Sequence, residues 1–234
     1  MRLHRQVRRV AGLLVALGVW HVAAGAYVHA KALAAQELLA IAWQRTRAGE
    51  AVVRPWPHAD SWPVARLAVP RLGVRQIVLA DASGRSLAFG PGHLPGTALP
   101  GAAGNTVLVA HRDTHFAFLR ELLPGDEVRI ETARGDLRRY RVAASRVTRA
   151  DDVAVTAGRG EARLTLVTCW PFDALQPGTP WRYVVVAVPA SGDACEGIVA
   201  VDSLRGARSS RAATAPGHAG NGAGRAPDFA GAGC

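Results

Sequence analysis

No Asp, Glu, Lys or Arg occurs between residues 10 and 30 of this 234-residue chain, and four arginines (Arg2, Arg5, Arg8 and Arg9) stand directly before that stretch. At about 1.5 Å per residue, an uncharged helix of this length roughly spans the ~30 Å hydrocarbon core of a bilayer. His21 and His29 interrupt the run only as imidazoles. A secretory leader has a shorter apolar core of about 7–15 residues, so the length favours a retained anchor; Ala24-Gly25-Ala26 keeps cleavage open as the alternative. Basic residues stay on the cytoplasmic side, so everything after Lys31 is expected to be exported.

Acidic residues are scarce too: 18 against 28 basic ones, a formal charge of +10. Such an excess suggests a polyanion partner until it is located. Residues 1–54 carry 8 basic and 2 acidic side chains, residues 55–189 carry 16 and 12, and residues 190–234 carry 4 and 4. Most of the excess therefore belongs to the anchor end. No concentrated basic motif marks the remainder, and a nucleic-acid partner is not expected.

Aromatic residues make up only 6% of the chain, but 49% is hydrophobic, which excludes a wholly disordered protein and allows one packed domain. Residues 32–48 read as a helix continuing from the anchor as a stalk, with Gly49 closing it and Pro55, Pro57 and Pro63 following. From residue 64 the pattern becomes short strands separated by turn signals: 64–69, 75–80, 106–110, 127–132, 137–148, 163–169 and 181–188. A short helix is expected at 114–122, with Phe118, Leu119 and Leu122 facing inward. Seven or eight strands in this length suggest an all-β closed barrel, with a sandwich as the alternative. Residues 190–234 lack hydrophobic periodicity and read as a disordered tail. The expected organisation is a basic terminus (1–9), an anchor (10–30), a stalk (31–59), a catalytic barrel (60–189) and the tail.

Cysteine is rare: Cys169, Cys195 and Cys234. The last two sit in the tail segment, where they could pair with each other or be incidental. Cys169 ends the apolar run Leu164-Thr165-Leu166-Val167-Thr168, and Pro171 stops the strand just beyond it. A buried structural cysteine is the plain alternative. Two other strands change that balance. Val107-Leu108-Val109-Ala110 exits into His111-Arg112-Asp113-Thr114-His115, and a further strand opens with Trp181-Arg182. A thiol, an imidazole and a guanidinium at the ends of separate strands can converge on one face.

These residues resemble the sortase family. Thr165-Leu166-Val167-Thr168-Cys169 is similar to the family's TLxTC signature, with Arg182 after it and His111 before it. The likeness covers most of residues 60–189 and includes Phe89-Gly90-Pro91-Gly92-His93-Leu94 and Leu122-Leu123-Pro124-Gly125-Asp126. His111-Arg112-Asp113-Thr114-His115 together with Thr168-Cys169-Trp170-Pro171-Phe172 looks most like the proteobacterial (class GN) members. Ala110 departs from the family pattern, which commonly has Gly before the histidine. The resemblance implies an eight-stranded barrel and a cysteine transpeptidase with Cys169 as nucleophile, His111 as acid and base, and Arg182 as oxyanion or carbonyl donor. It also implies a partner protein with an LPxTG-like C-terminal signal, an amine acceptor, and no cofactor or metal. The implied location is the inner membrane, single-pass, with the catalytic domain periplasmic.

Thr168, Arg112 and Trp170 are secondary candidates for substrate contact. His115 is a rival base, but packing or capping suits it better, and His93 reads as structural. A metal site on His111, Asp113 and His115 fits neither helix nor strand spacing cleanly. Leu94-Pro95-Gly96-Thr97-Ala98 mimics a sorting signal, and coincidence in a turn-rich loop is the plainer reading. A papain-like protease would place its cysteine before its histidine, the reverse of the order here. An L,D-transpeptidase would have Gly before the cysteine and Arg after it, where Thr168 and Trp170 stand. A purely hydrolytic thiol protease and a non-catalytic tethered binding domain are the competing functions.

Overall fold

The computed structural model describes residues 2–190 apart from 159, 161, 175 and 177. The expected tail, with Cys195 and Cys234, lies outside the described residues. One helix, α1 (Arg2–Arg47), runs unbroken from the apolar segment into the stalk. It ends just before Gly49, whose φ of +100° suits glycine because it has no Cβ. The two halves of α1 have opposite surroundings. Leu13, Trp20 and Val22 are at least 70% exposed, whereas Leu39, Ala42 and Trp43 are buried against the strands. Gln36 Nε2 donates to the Phe89 carbonyl at 2.9 Å, and Arg47 pairs with Glu131 at 3.0 Å. The stalk is therefore docked on the domain that follows it.

Eight strands follow: β1 (Pro63–Val69), β2 (Val74–Leu79), β3 (Gly92–His93), β4 (Asn105–Val109), β5 (Glu127–Thr132), β6 (Leu137–Arg149), β7 (Arg163–Trp170) and β8 (Trp181–Pro189). They close into a barrel in the order β1-β2-β3-β4-β7-β8-β6-β5, which settles the choice between barrel and sandwich. Pairing is antiparallel except for β2–β3 and β4–β7. Seven strands fall within one residue of the expected bounds at each end.

The strand not expected is β3, two residues long, which bridges Leu79 of β2 and Val109 of β4. Glycine is required there by close approach, because a Cβ on Gly92 would lie 2.1 Å from the Asp81 carbonyl oxygen. Gly92→Ala is expected to cost about 1–3 kcal/mol through overpacking and backbone displacement. Thermal unfolding followed by circular dichroism measures this, and an unchanged Tm would contradict the contact.

The expected helix at 114–122 is instead a 3-10 turn, Ala117–Glu121. Phe116, Phe118 and Leu119 are all buried within four residues, denser inward packing than one α-helical stripe provides. A single turn of helix, α2 (Gly84–Leu87), sits in the β2–β3 connection. Asp81 tightens its start by accepting from Ser83 N at 2.7 Å and Ser86 Oγ at 2.9 Å.

Strand alternation divides the apolar side chains into two groups. Leu108, Leu164, Leu166, Val185 and Ala187 join Leu67, Val128 and Ile130 inside the barrel. Their neighbours Val107, Val109, Val167 and Val184 face the other way and pack with Leu87, Leu94 and Val155 from the connections. β4, β7 and β8 are thus covered on both faces, which explains their nearly continuous hydrophobic runs.

Candidate functional site

The same alternation places the three candidate catalytic residues. Cys169 shares the parity of Val167 in β7, and Arg182 shares that of Val184 in β8, so both belong to the outer face. In the ladder Cys169 stands directly opposite Arg182. β4 runs parallel to β7 with Val109 opposite Val167, and two residues further along the same count bring His111 beside Cys169. The pairing persists past the end of β4, because Ala110 N donates to the Val167 carbonyl at 3.3 Å and Thr168 Oγ1 donates to the Ala110 carbonyl at 2.7 Å. The three residues thus form one row across adjacent strands, with the cysteine in the middle. Neighbouring strands lie about 4.8 Å apart.

Cys169 is 2% exposed and is in its disulfide-bonded form. A thiolate must be released by reduction before it can attack a carbonyl. Arg182 is 9% exposed, and its Nη1 donates to the carbonyls of Thr179 at 2.6 Å and Trp181 at 3.0 Å. Burial pushes its pKa down, and the charge of Arg112 pushes in the same direction. A guanidinium still keeps its proton at any working pH. A row of this kind offers a nucleophile, a titratable imidazole and a fixed fork of N–H donors.

Residues 67–190, just over half of the chain, match the sortase domain family. The chain belongs to the sortase family. It is 28% identical over 120 residues to sortase D of Bacillus subtilis (strain 168), an alignment covering 51% of this chain and 60% of that protein. It therefore spans less than two thirds of that relative's length. Among solved structures, the pilus-related sortase C of Group B Streptococcus matches at 27% identity and a TM-score of 0.50, over 55% of this chain and 67% of that one. Sortase A from Corynebacterium diphtheriae shares the fold at 21% identity and a TM-score of 0.52, covering 68% of this chain and 86% of that one.

The secondary candidates of this sortase have separate placements. Thr168 is 3% exposed and its hydroxyl is committed to Ala110, so it ties β7 to the β4 exit. Arg112 donates through Nη2 to the carbonyls of Ala174 at 2.7 Å and Gln176 at 2.9 Å, and so reaches across to the β7–β8 connection. Trp170 stacks on Tyr183 with centroids 5.7 Å apart and meets Phe172 edge-on at 5.6 Å, while Arg120 covers Phe172 at 4.9 Å. Phe172 and Tyr183 were not among the sequence candidates. Their signal was aromatic clustering around the cysteine in an aromatic-poor chain.

Gln76 Nε2 donates to the His115 backbone oxygen at 2.6 Å. Burial, with His111 adding to it, keeps its ring below the ordinary imidazole range. A cavity of about 660 Å³ lies between α1 and the barrel, bordered by Leu38, Trp56 and Phe89; none of the row lines it.

The signal-like loop is tied into the fold. Leu94 is buried in the outer cluster, and Thr97 Oγ1 donates to the Leu94 carbonyl at 2.7 Å. His93 Nε2 lies 3.0 Å from the Ala98 carbonyl and 3.1 Å from Thr97 Oγ1. Burial lowers the pKa of His93, so the folded state takes up its proton less readily than the unfolded chain. Its contribution to stability is complete above the unfolded imidazole value of ~6.5 and declines as pH falls below it. His115 acts with the same sign. Tm is expected to fall from pH 7 to pH 5, a window above the carboxylate range, and to fall less steeply in His93→Gln. Equal slopes for the two proteins would remove His93 from this role.

Proposed function

We propose that this sortase is a membrane-anchored cysteine transpeptidase that cleaves an LPxTG-like sorting signal in an exported protein and transfers the acyl part to an amine. The observation that carries the proposal is that Cys169 stands opposite Arg182 in the β7–β8 ladder of a sortase barrel, with His111 two residues past the end of β4, the strand on the other side of β7. In this reading the Cys169 thiolate attacks the carbonyl carbon of the Thr–Gly bond, and Arg182 donates to the oxygen as negative charge develops on it. The C–N bond breaks as protonated His111 gives its proton to the leaving glycine nitrogen. An incoming amine then attacks the thioester, its proton passes to neutral His111, and the C–S bond breaks to restore the thiolate. No cofactor enters the cycle.

Several features support the anchor. α1 is long and apolar enough to cross a membrane, and its first half exposes large side chains that soluble surfaces seldom gather. In this reading the four arginines before the apolar run stay in the cytoplasm, which favours a periplasmic barrel held at the inner membrane. The assignment to the class GN members rests on the motifs around His111 and Cys169.

The test is incubation of the reduced full chain with LPxTG-type peptides and an amine, read by mass spectrometry. A thioacyl adduct on Cys169 that the amine converts to a transfer product is the expected result. An adduct resolved only by water would make the protein a hydrolytic thiol protease. No adduct with any signal peptide would favour the non-catalytic binding domain.

A further inference from the structure

We propose that Arg112 is a positioning residue that clamps the β7–β8 connection to the exit of β4 and thereby holds Arg182 in place; the proposal rests on the transpeptidase reading above. Arg112 follows His111 directly in the chain but points its guanidinium at a connection more than sixty residues away. There Nη2 holds two carbonyls, Ala174 O at 2.7 Å and Gln176 O at 2.9 Å. Nearer the far end of the same connection, Arg182 Nη1 holds Thr179 O and Trp181 O. Two guanidiniums thus bind four carbonyls of the segment that links Cys169 to Arg182.

This arrangement is costly as plain architecture. Arg112 and Arg182 are each 9% exposed and close enough for Arg112 to disfavour the charge on Arg182. No carboxylate among the described residues pairs with either. Nη1 of Arg112 is also buried without a hydrogen-bond partner. Buried like charges and an orphaned donor oppose folding, and an apolar side chain of similar volume would avoid both. What an apolar residue could not do is bond to the connection. Charge-assisted bonds to two carbonyls define its position more tightly than packing alone. Because Arg112 adjoins His111, the clamp also couples the imidazole's strand exit to the donor opposite Cys169. A group that acts this way need never touch substrate.

The experiment compares wild type, Arg112→Met and Arg112→Lys as reduced full-length proteins. Arg112→Met keeps the volume and removes the cation, so its Tm is expected to match or exceed that of wild type. Hydrogen exchange in the peptide spanning 171–180 should accelerate at least tenfold, with the rest of the barrel unchanged. With an LPxTG-type peptide, kcat should fall about tenfold or more at similar KM, and Arg112→Lys should recover part of both effects. Unchanged exchange in that peptide overturns the clamp. Faster exchange with unchanged kcat overturns its positioning role. A loss of kcat that merely follows a fall in Tm, equally in both variants, reduces Arg112 to a stability element and also overturns it. If wild type turns over no signal peptide, the transpeptidase reading fails, and the exchange result alone decides whether the clamp exists.

Discussion

Cys169→Ala is expected to abolish the thioacyl adduct and to lower turnover by about 10⁴-fold or more, the scale seen when a covalent nucleophile is removed from a concerted site. The reaction needs an atom that forms a bond to the carbonyl carbon and then leaves it, and a methyl group can do neither. Position strengthens the expectation. Cys169 stands in β7 directly opposite Arg182, and two residues of continued register bring His111 to its other side. Compared with the reduced wild type, which also lacks the disulfide, the variant should fold, since it trims only a small buried side chain on a well-paired strand. Circular dichroism and the Tm check this. Retained turnover in a folded Cys169→Ala protein would reject the mechanism; retained binding to exported proteins with no turnover in wild type would point to the tethered binding domain.

Arg182→Ala should cost about 10²–10³-fold in kcat, the range for losing a preorganised donor to a developing oxyanion. Arg182→Lys should recover little. A lysine keeps the charge as a single point, whereas Arg182 uses Nη1 to hold Thr179 O and Trp181 O and needs its other N–H groups for the substrate. The loss is expected mainly in kcat, because the charge on the carbonyl oxygen exists only in the transition state. A variant with raised KM and normal kcat would instead make Arg182 a ground-state binder.

The legible parts of the sequence were those with local causes. Uninterrupted apolar runs such as Val107–Ala110 signal strands buried on both faces, and turn residues such as Pro124-Gly125-Asp126 mark where they end. β3 left no such trace. It is a Gly-His pair whose only reason to be a strand is that β2 and β4 lie on either side of it. Phe118, Leu119 and Leu122 suit the inward face of an α-helix as well as that of the 3-10 turn at Ala117–Glu121 and its C-cap, so periodicity does not separate the two. Arg112 could be noticed as a polar residue in an unusual exit, but nothing near it in sequence names Ala174 or Gln176 as its partners.

The 21-residue gap in charge was enough by itself to mark a helix long and apolar enough to cross a membrane, because length and composition belong to a segment alone. Strand periodicity likewise assigned most of the barrel, and the residue types at three strand ends indicated acyl-transfer chemistry. Only tertiary structure decided that the barrel closes through β3, that the stalk packs on it, and that Cys169 stands opposite Arg182 with the β4 exit on its other side. Those facts depend on register between strands distant in sequence, and register is set by how whole faces pack, which no local stretch contains.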